Sequence, residues 1–426
     1  MDTVLQMAKC FREADILLPN FSDSRDYEKW AVIACDQFTS EPEYWQQVAR
    51  RVGDHPSTLH IILPEIYLAE GDARLAGIYN HMKQYAESLL CEHKGALLYV
   101  ERTLASGRVR RGLVGMVDLE DYDYRPGTTP LIRATEGTVV DRIPPRVRIR
   151  RGAQIEAPHV MMLIDDPEKT VIEEQAKRAD SLKIAYDFDL MLGGGHIKGR
   201  FLDRQGITEV ASALEALGTP LAMEKKYGLS CTDPLLFAVG DGNHSLASAK
   251  AFYEEIKAEL GEGAKSHPAR YALAEIVNLH DDSLEFEPIY RVLFNANSED
   301  VIKALRRYVD GDGKSTTQSV RCITAEGEVD IPFGRETHTL TVGTLQHFID
   351  DYLSDHPEVE VDYIHGEDSL RSLAKKENAI GFLFDGMSKN ELFPSVIKDG
   401  VLPRKTFSMG EARDKRYYLE CRKIIR

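Results

Sequence analysis

The stretch FAVGDGNHSLASAK, Phe237 to Lys250, sets Asp241, Asn243, His244 and Ser245 among glycines at the start of a small-residue segment. Leu235 to Val239 is an apolar run bounded by Pro234 and Gly240, which predicts a short buried strand. From Leu246 onward, Leu246, Ala249, Tyr253, Ile256 and Leu260 recur at spacings of three and four, one face of a helix. The polar residues therefore stand where a strand ends and a helix begins. Such an end offers unpaired N–H groups and about half a positive charge. Gly240 and Gly242 let the backbone approach a ligand closely, Asn243 can cap, and His244 and Ser245 can donate to a phosphate oxygen. Asp241 would repel phosphate unless it orients a donor or holds a divalent metal against the phosphates. A capped strand–helix turn with a satisfied histidine accounts for the same residues without a ligand.

Phosphoryl transfer to a hydroxyl needs a carboxylate near the nucleophile and cations on the developing charge. CDQFTSEPE supplies Asp36, Glu41 and Glu43 after an apolar run, with Glu41 and Glu43 equally suited to the dipole of a helix first turn. RATEGT places Arg133, Thr135, Glu136 and Thr138 together, where Arg133 and Glu136 read as a phosphate-binding cation with its orienting carboxylate, or as a local ion pair. GGGHIKG, 193–199, lacks dinucleotide-fingerprint spacing and reads as a glycine hairpin, although His196 and Lys198 could face a cleft. GDGKST, 311–316, fails as a P-loop because Tyr308 occupies the place of the first glycine. In RVRIR the arginines alternate with Val147 and Ile149, which predicts a strand with one solvated basic face.

The elements that must position these residues belong to a chain of 426 residues, long enough for two or three domains. A net charge of −16 opposes nucleic acid and anionic membranes and favours a small-molecule partner, and no apolar run is long enough for a membrane span. Six scattered cysteines without a C-x-x-C pair argue for reduced thiols and a cytoplasmic protein. Pattern predicts a helix over 40–52 capped by Thr39 or Ser40, and a hairpin about Ser106–Gly107. It also predicts a strand in 159–167 and helices over 168–185, 207–217, 298–309 and 344–354. The texture changes near 280–295, which divides a core domain, 1–285, from a C-terminal domain, 286–426.

DGNHSLASAK resembles the D-G-[HQ]-[HQ]-R-x-x-A pattern of the ParB/sulfiredoxin-like superfamily, which lies between a strand and a helix. ILLPN with WAVIACDQFTSEPEYW, LIRATEGTVVDRIPPR, LMLGGGHIKG, GDGNHSLASAK and LEFEPIYRVLF are together similar, in the same order, to the family called domain of unknown function 1015. The resemblance covers most of the chain. It implies an α+β fold: a ParB/sulfiredoxin-like core with a mixed sheet, a large insertion at about 95–230, and a C-terminal α/β domain.

Small-molecule members of that superfamily include free-serine kinases, so the resemblance implies a nucleotide-dependent phosphotransferase interconverting serine and O-phosphoserine, or hydrolysing phosphoserine. ATP or ADP and magnesium would be the cofactors, with Asp241 as metal ligand. A phosphorylated small molecule would be the ligand, with no nucleic acid or membrane, and a homo-oligomer is left open. Asp241, His244 and an early carboxylate such as Glu41, as base, would be catalytic. Gly242, Asn243, His244, Ser245, Arg133, Glu136 and Thr138 would hold phosphate or nucleotide, with Arg291 and Lys405 implied by family-like elements in the second half. Ser245 replaces the arginine of the pattern, and Tyr290 a histidine that precedes the family's counterpart of Arg291. The first replacement removes a bidentate phosphate contact. It favours a second reading, a non-catalytic nucleotide-binding regulator.

Overall fold

The computed structural model describes residues 10–228, 233–311 and 317–425, so GDGKST lies outside the described residues apart from Gly311. The chain folds into two compact units. One comprises residues up to 134, 138–284 and 411–426; the other comprises 135–137 and 285–410. Both are α+β, and no described helix is long and apolar enough to cross a membrane. The five described cysteines are free thiols.

The first unit is built on a nine-stranded mixed sheet. Within it strand Met161–Ile164, third from one edge, runs parallel to Tyr271–Asn278 on one side and antiparallel to Phe237–Asp241 on the other. Phe237–Asp241 in turn pairs in parallel with Ile132–Ala134. The expected hairpin at Ser106–Gly107 forms from Leu98–Thr103 and Val109–Asp118, and the glycine hairpin from Lys183–Asp189 and His196–Phe201. Central strands are buried on both faces, so Met161, Met162, Leu163 and Ile164 read as an unbroken apolar run. The second unit carries an antiparallel sheet in which Phe286–Phe294 pairs with both Glu360–His365 and Ala379–Leu383.

Three sequence expectations change. RVRIR lies in helix Ile143–Arg151, not a strand: Pro144 and Pro145 occupy its first turn, and Ile143 and Val147, four apart, bury one face. Helix 168–185 shrinks to Ile172–Ala176, because the Asp166 carboxylate takes the Thr170 and Val171 N–H groups and Lys183 onward joins the sheet. Helix Pro42–Val52 has Glu41 at its N-cap with no side-chain cap, so neither Thr39 nor Ser40 fills that role.

The C-terminal segment is fastened to the first unit by buried ions. Arg416 donates to Glu275 Oε2 at 2.8 Å, Glu420 Oε2 at 2.6 Å and the Pro158 carbonyl at 2.6 Å. Tyr186 donates to the other Glu420 oxygen at 2.5 Å. Arg102, also buried, bonds the Arg413 carbonyl at 3.0 Å and lies over the Tyr417 ring. Removing one member of such a group leaves charges buried and unmatched. Arg416→Ala should therefore lower the unfolding free energy of the first unit by about 3–5 kcal/mol, read from urea titration.

Candidate functional site

A bulge shapes the motif. Val239 faces Met162 while Asp241 faces Met161, so Gly240 is the extra residue that re-aims the chain at the end of the strand. Gly242 follows with φ 78°, and a Cβ there would stand 3.0 Å from the Val160 Cα. Only glycine meets both conditions. Helix Asn243–Leu260 then begins without a side-chain cap, its first described internal bond running from Leu246 N–H to the Gly242 carbonyl at 3.0 Å. The amides of Asn243, His244 and Ser245 precede the first turn and have no intrahelical acceptor.

The side chains around this turn are polar and incompletely matched. Asp241 Oδ1 accepts the Gly242 N–H, while its buried Oδ2 has no hydrogen-bond partner and stands 3.5 Å from Lys415 Nζ. Asn243 Oδ1 and Thr138 Oγ1 are also buried without partners. His244 Nε2 accepts the Val139 N–H at 3.3 Å, which leaves Nδ1 as the protonated nitrogen of a neutral ring. Burial, with Arg146 and Arg142 nearby, lowers the His244 pKa below 6.5, against an opposing pull from Asp36.

Asp36 is the carboxylate of CDQFTSEPE that reaches this region. Burial pushes its pKa up, but His159, a hydrogen bond from Gln37 and Lys415 together hold it below the ordinary range. His159 Nε2 lies 3.9 Å from Asp36 Oδ2, and its Nδ1 meets the Tyr418 hydroxyl at 2.8 Å. That hydroxyl also accepts the Cys35 N–H at 3.1 Å, so its proton is free for His159 Nδ1, directing Nε2–H toward Asp36. Asp36, His159, Asp241, His244 and Lys415 thus gather from four separate parts of the chain.

Other sequence candidates sit elsewhere. Glu41 is exposed at its helix N-terminus. Arg133 is buried, with its guanidinium bonded to the Pro130, Thr129 and Asp233 carbonyls. Glu136 belongs to the second unit and bridges to Leu402. So do Arg291 and Lys405: Arg291 is buried and bonded to the Arg404 and Lys405 carbonyls, its pKa lowered by burial to about 10, while Lys405 is exposed over the Tyr363 ring. His196 and Lys198 are taken up by Asp187 and Asp189 across the hairpin. His159, Lys415 and Tyr418 had no local signature, and Arg142 and Arg146 read as a solvated face. Among the described residues no three metal-ligating side chains converge.

A family model described as protein of unknown function (DUF1015) matches residues 20–396. The chain belongs to this family. Among solved structures it is similar to free serine kinase in complex with AMP, at 12% identity and TM-score 0.37, covering 73% of this chain and 92% of that one. It is also similar to a conserved hypothetical protein from Pyrococcus furiosus, at 12% identity and TM-score 0.35, covering 73% and 95%. A third likeness is to SbnI with C-terminal truncation from Staphylococcus aureus, at 9% identity and TM-score 0.35, covering 72% and 85%. A search of curated proteins finds no match.

Because the folded His244 pKa lies below its unfolded value, its contribution to stability is intact above pH 6.5 and is lost as pH falls through the folded value. NMR titration of the imidazole should place its midpoint below 6.5, and inorganic phosphate at the helix end should raise it. A midpoint unmoved by phosphate would place the anion elsewhere. Gly242→Ala should cost at least about 1 kcal/mol through φ alone. The Val160 contact adds to that loss, and phosphate affinity should fall with it.

Proposed function

We propose that this protein is a nucleotide-dependent phosphotransferase acting on a small hydroxyl compound, with serine and O-phosphoserine as the exchanged pair. The observation that carries the reading is the uncapped helix start at Asn243, ringed by buried, unpartnered polar atoms and by Asp36, His244 and Lys415. The choice of serine rests on the family resemblance.

The amides of 243–245 and the His244 Nδ1–H hold the transferred phosphoryl group by hydrogen bonds that strengthen as charge develops. A neutral His244 donates one proton without needing to ionise. Asp36, ionised at neutral pH, takes the proton of the attacking hydroxyl, and His159 with Tyr418 fixes its orientation. A new bond forms between that oxygen and phosphorus while the bond from phosphorus to the nucleotide oxygen breaks. Lys415, with Arg142 at the N-cap of helix Ile143–Arg151, supplies the positive charge that Ser245 does not, while Arg146 is paired with Glu65. The lone, partly unmatched oxygen of Asp241 suits a magnesium ion held chiefly by phosphates and water. Such an ion would neutralise the phosphate charge.

Purified protein with magnesium, given ATP or ADP and L-serine, should form O-phosphoserine detectable by phosphorus NMR, and the reverse mixture should phosphorylate the nucleotide. Asp36→Asn should reduce kcat by about 10²–10⁴-fold with little change in KM. His244→Ala should raise the nucleotide KM as well. Absence of transfer or phosphoserine hydrolysis would overturn the proposal, and tight nucleotide binding without product would mark a regulator.

A further inference from the structure

The loop that carries Asp36 holds a strained residue. Phe38 has φ 54°, in the left-handed region. Asparagine visits that region readily, whereas a bulky side chain there is an outlier. Phe38 is the only aromatic residue among the described positions with positive φ. Glycine would make the same turn without steric cost. Such strain persists only where neighbouring contacts impose it, and it gathers at functional sites.

The imposing contacts come from the helix that follows and from the C-terminal segment. The Phe38 ring lies face to face with that of Tyr44, centroids 3.8 Å apart and planes 13° from parallel. Tyr44 is itself fixed, since its hydroxyl hydrogen-bonds that of Tyr417, which donates to the Met191 carbonyl at 3.1 Å. Before Asp36, the Ala34 N–H donates to the Arg416 carbonyl at 3.0 Å, and the Cys35 carbonyl accepts the Glu65 N–H at 2.8 Å. After it, the Gln37 carbonyl accepts the Trp45 indole N–H at 3.1 Å. Trp45, Val48 and Val52 anchor helix Pro42–Val52 in the core. That helix is therefore unable to absorb a change of φ at Phe38, and the change falls on residues 35–37. Asp36 is the side chain that would move, away from His159 Nε2, which stands 3.9 Å from its Oδ2.

We propose that Phe38 is a positioning residue for Asp36: its left-handed turn, imposed by the stack on Tyr44, aims the carboxylate at His159. The consequence for phosphotransfer rests on the reading of Asp36 as the base; the aiming does not.

Carbon-13 NMR titration of the Asp36 carboxyl tests the aiming directly. Against burial, which raises it, His159, Gln37 and Lys415 hold its pKa below the ordinary value. Phe38→Ala removes the stack but keeps a Cβ, so the turn relaxes and the midpoint should rise toward that of free aspartate. Phe38→Gly also removes the stack but accepts the left-handed conformation, so its midpoint should stay closer to the wild-type one. Phe38→Tyr should leave it unchanged. In phosphotransfer, Phe38→Ala should lower kcat by about 10–10²-fold with little change in KM, and Phe38→Gly should lower it less. Phe38→Leu, which fills the space without a flat ring, replaces Phe38→Ala if circular dichroism shows that variant unfolded. A midpoint unmoved by loss of the ring, or shifted equally by the alanine and glycine substitutions, would overturn the proposal. If the midpoints follow this order while the wild-type protein transfers no phosphate, the aiming stands and the phosphotransferase reading falls.

Discussion

One guanidinium shut away from water governs the first unit. Arg416 would be costly to bury alone, and it is tolerated because Glu275 and Glu420 meet it inside the protein. Glu275 lies on a central strand and Glu420 on the returning C-terminal segment, so the charge group joins sheet and segment. Its neighbours in sequence inherit that placement. Lys415 comes to rest beside Asp241 and Tyr418 beside His159. A structural ion group thus carries two of the groups that surround the motif.

At the candidate site, bonding is left incomplete. A helix of 18 residues starts without a cap, and oxygens of Asp241, Asn243 and Thr138 are buried without hydrogen-bond partners. Buried polar atoms are seldom left in this state. Their concentration at one turn, next to a histidine held neutral and an aspartate held ionised, separates it from an ordinary strand–helix connection. The bulge at Gly240 and the left-handed Gly242 are what the backbone needs to bring them there.

Local pattern reveals local structure, and little beyond it. The junction at 237–260 was readable because an apolar run, two glycines and a three–four periodicity follow each other directly. The two hairpins were readable from their glycine turns. RVRIR misleads because its alternation has the period of a strand, whereas Pro144–Pro145 fixes a helical start and Ile143 with Val147 finds a core to face. The over-long helix from 168 fails because nothing local announces that Lys183–Asp189 has a partner strand waiting. For the candidate site, Asp241 to Ser245 stand out by spacing, whereas the acid cluster pointed to Glu41, which is exposed, rather than to Asp36. Arg133 has the right type, but its guanidinium is bonded to three carbonyls. His159, Lys415 and Tyr418 become neighbours only through tertiary contacts, which single-sequence periodicity does not encode.

The bond from the Cys35 N–H to the Tyr418 hydroxyl joins residues 383 positions apart. Contacts of such separation form late, since a long loop must lose its freedom before any reward arrives. Helices and hairpins can therefore be in place while the constellation around Asp36 is still missing. On refolding, recovered secondary structure would run ahead of the assembled Asp36–His159–Tyr418 group.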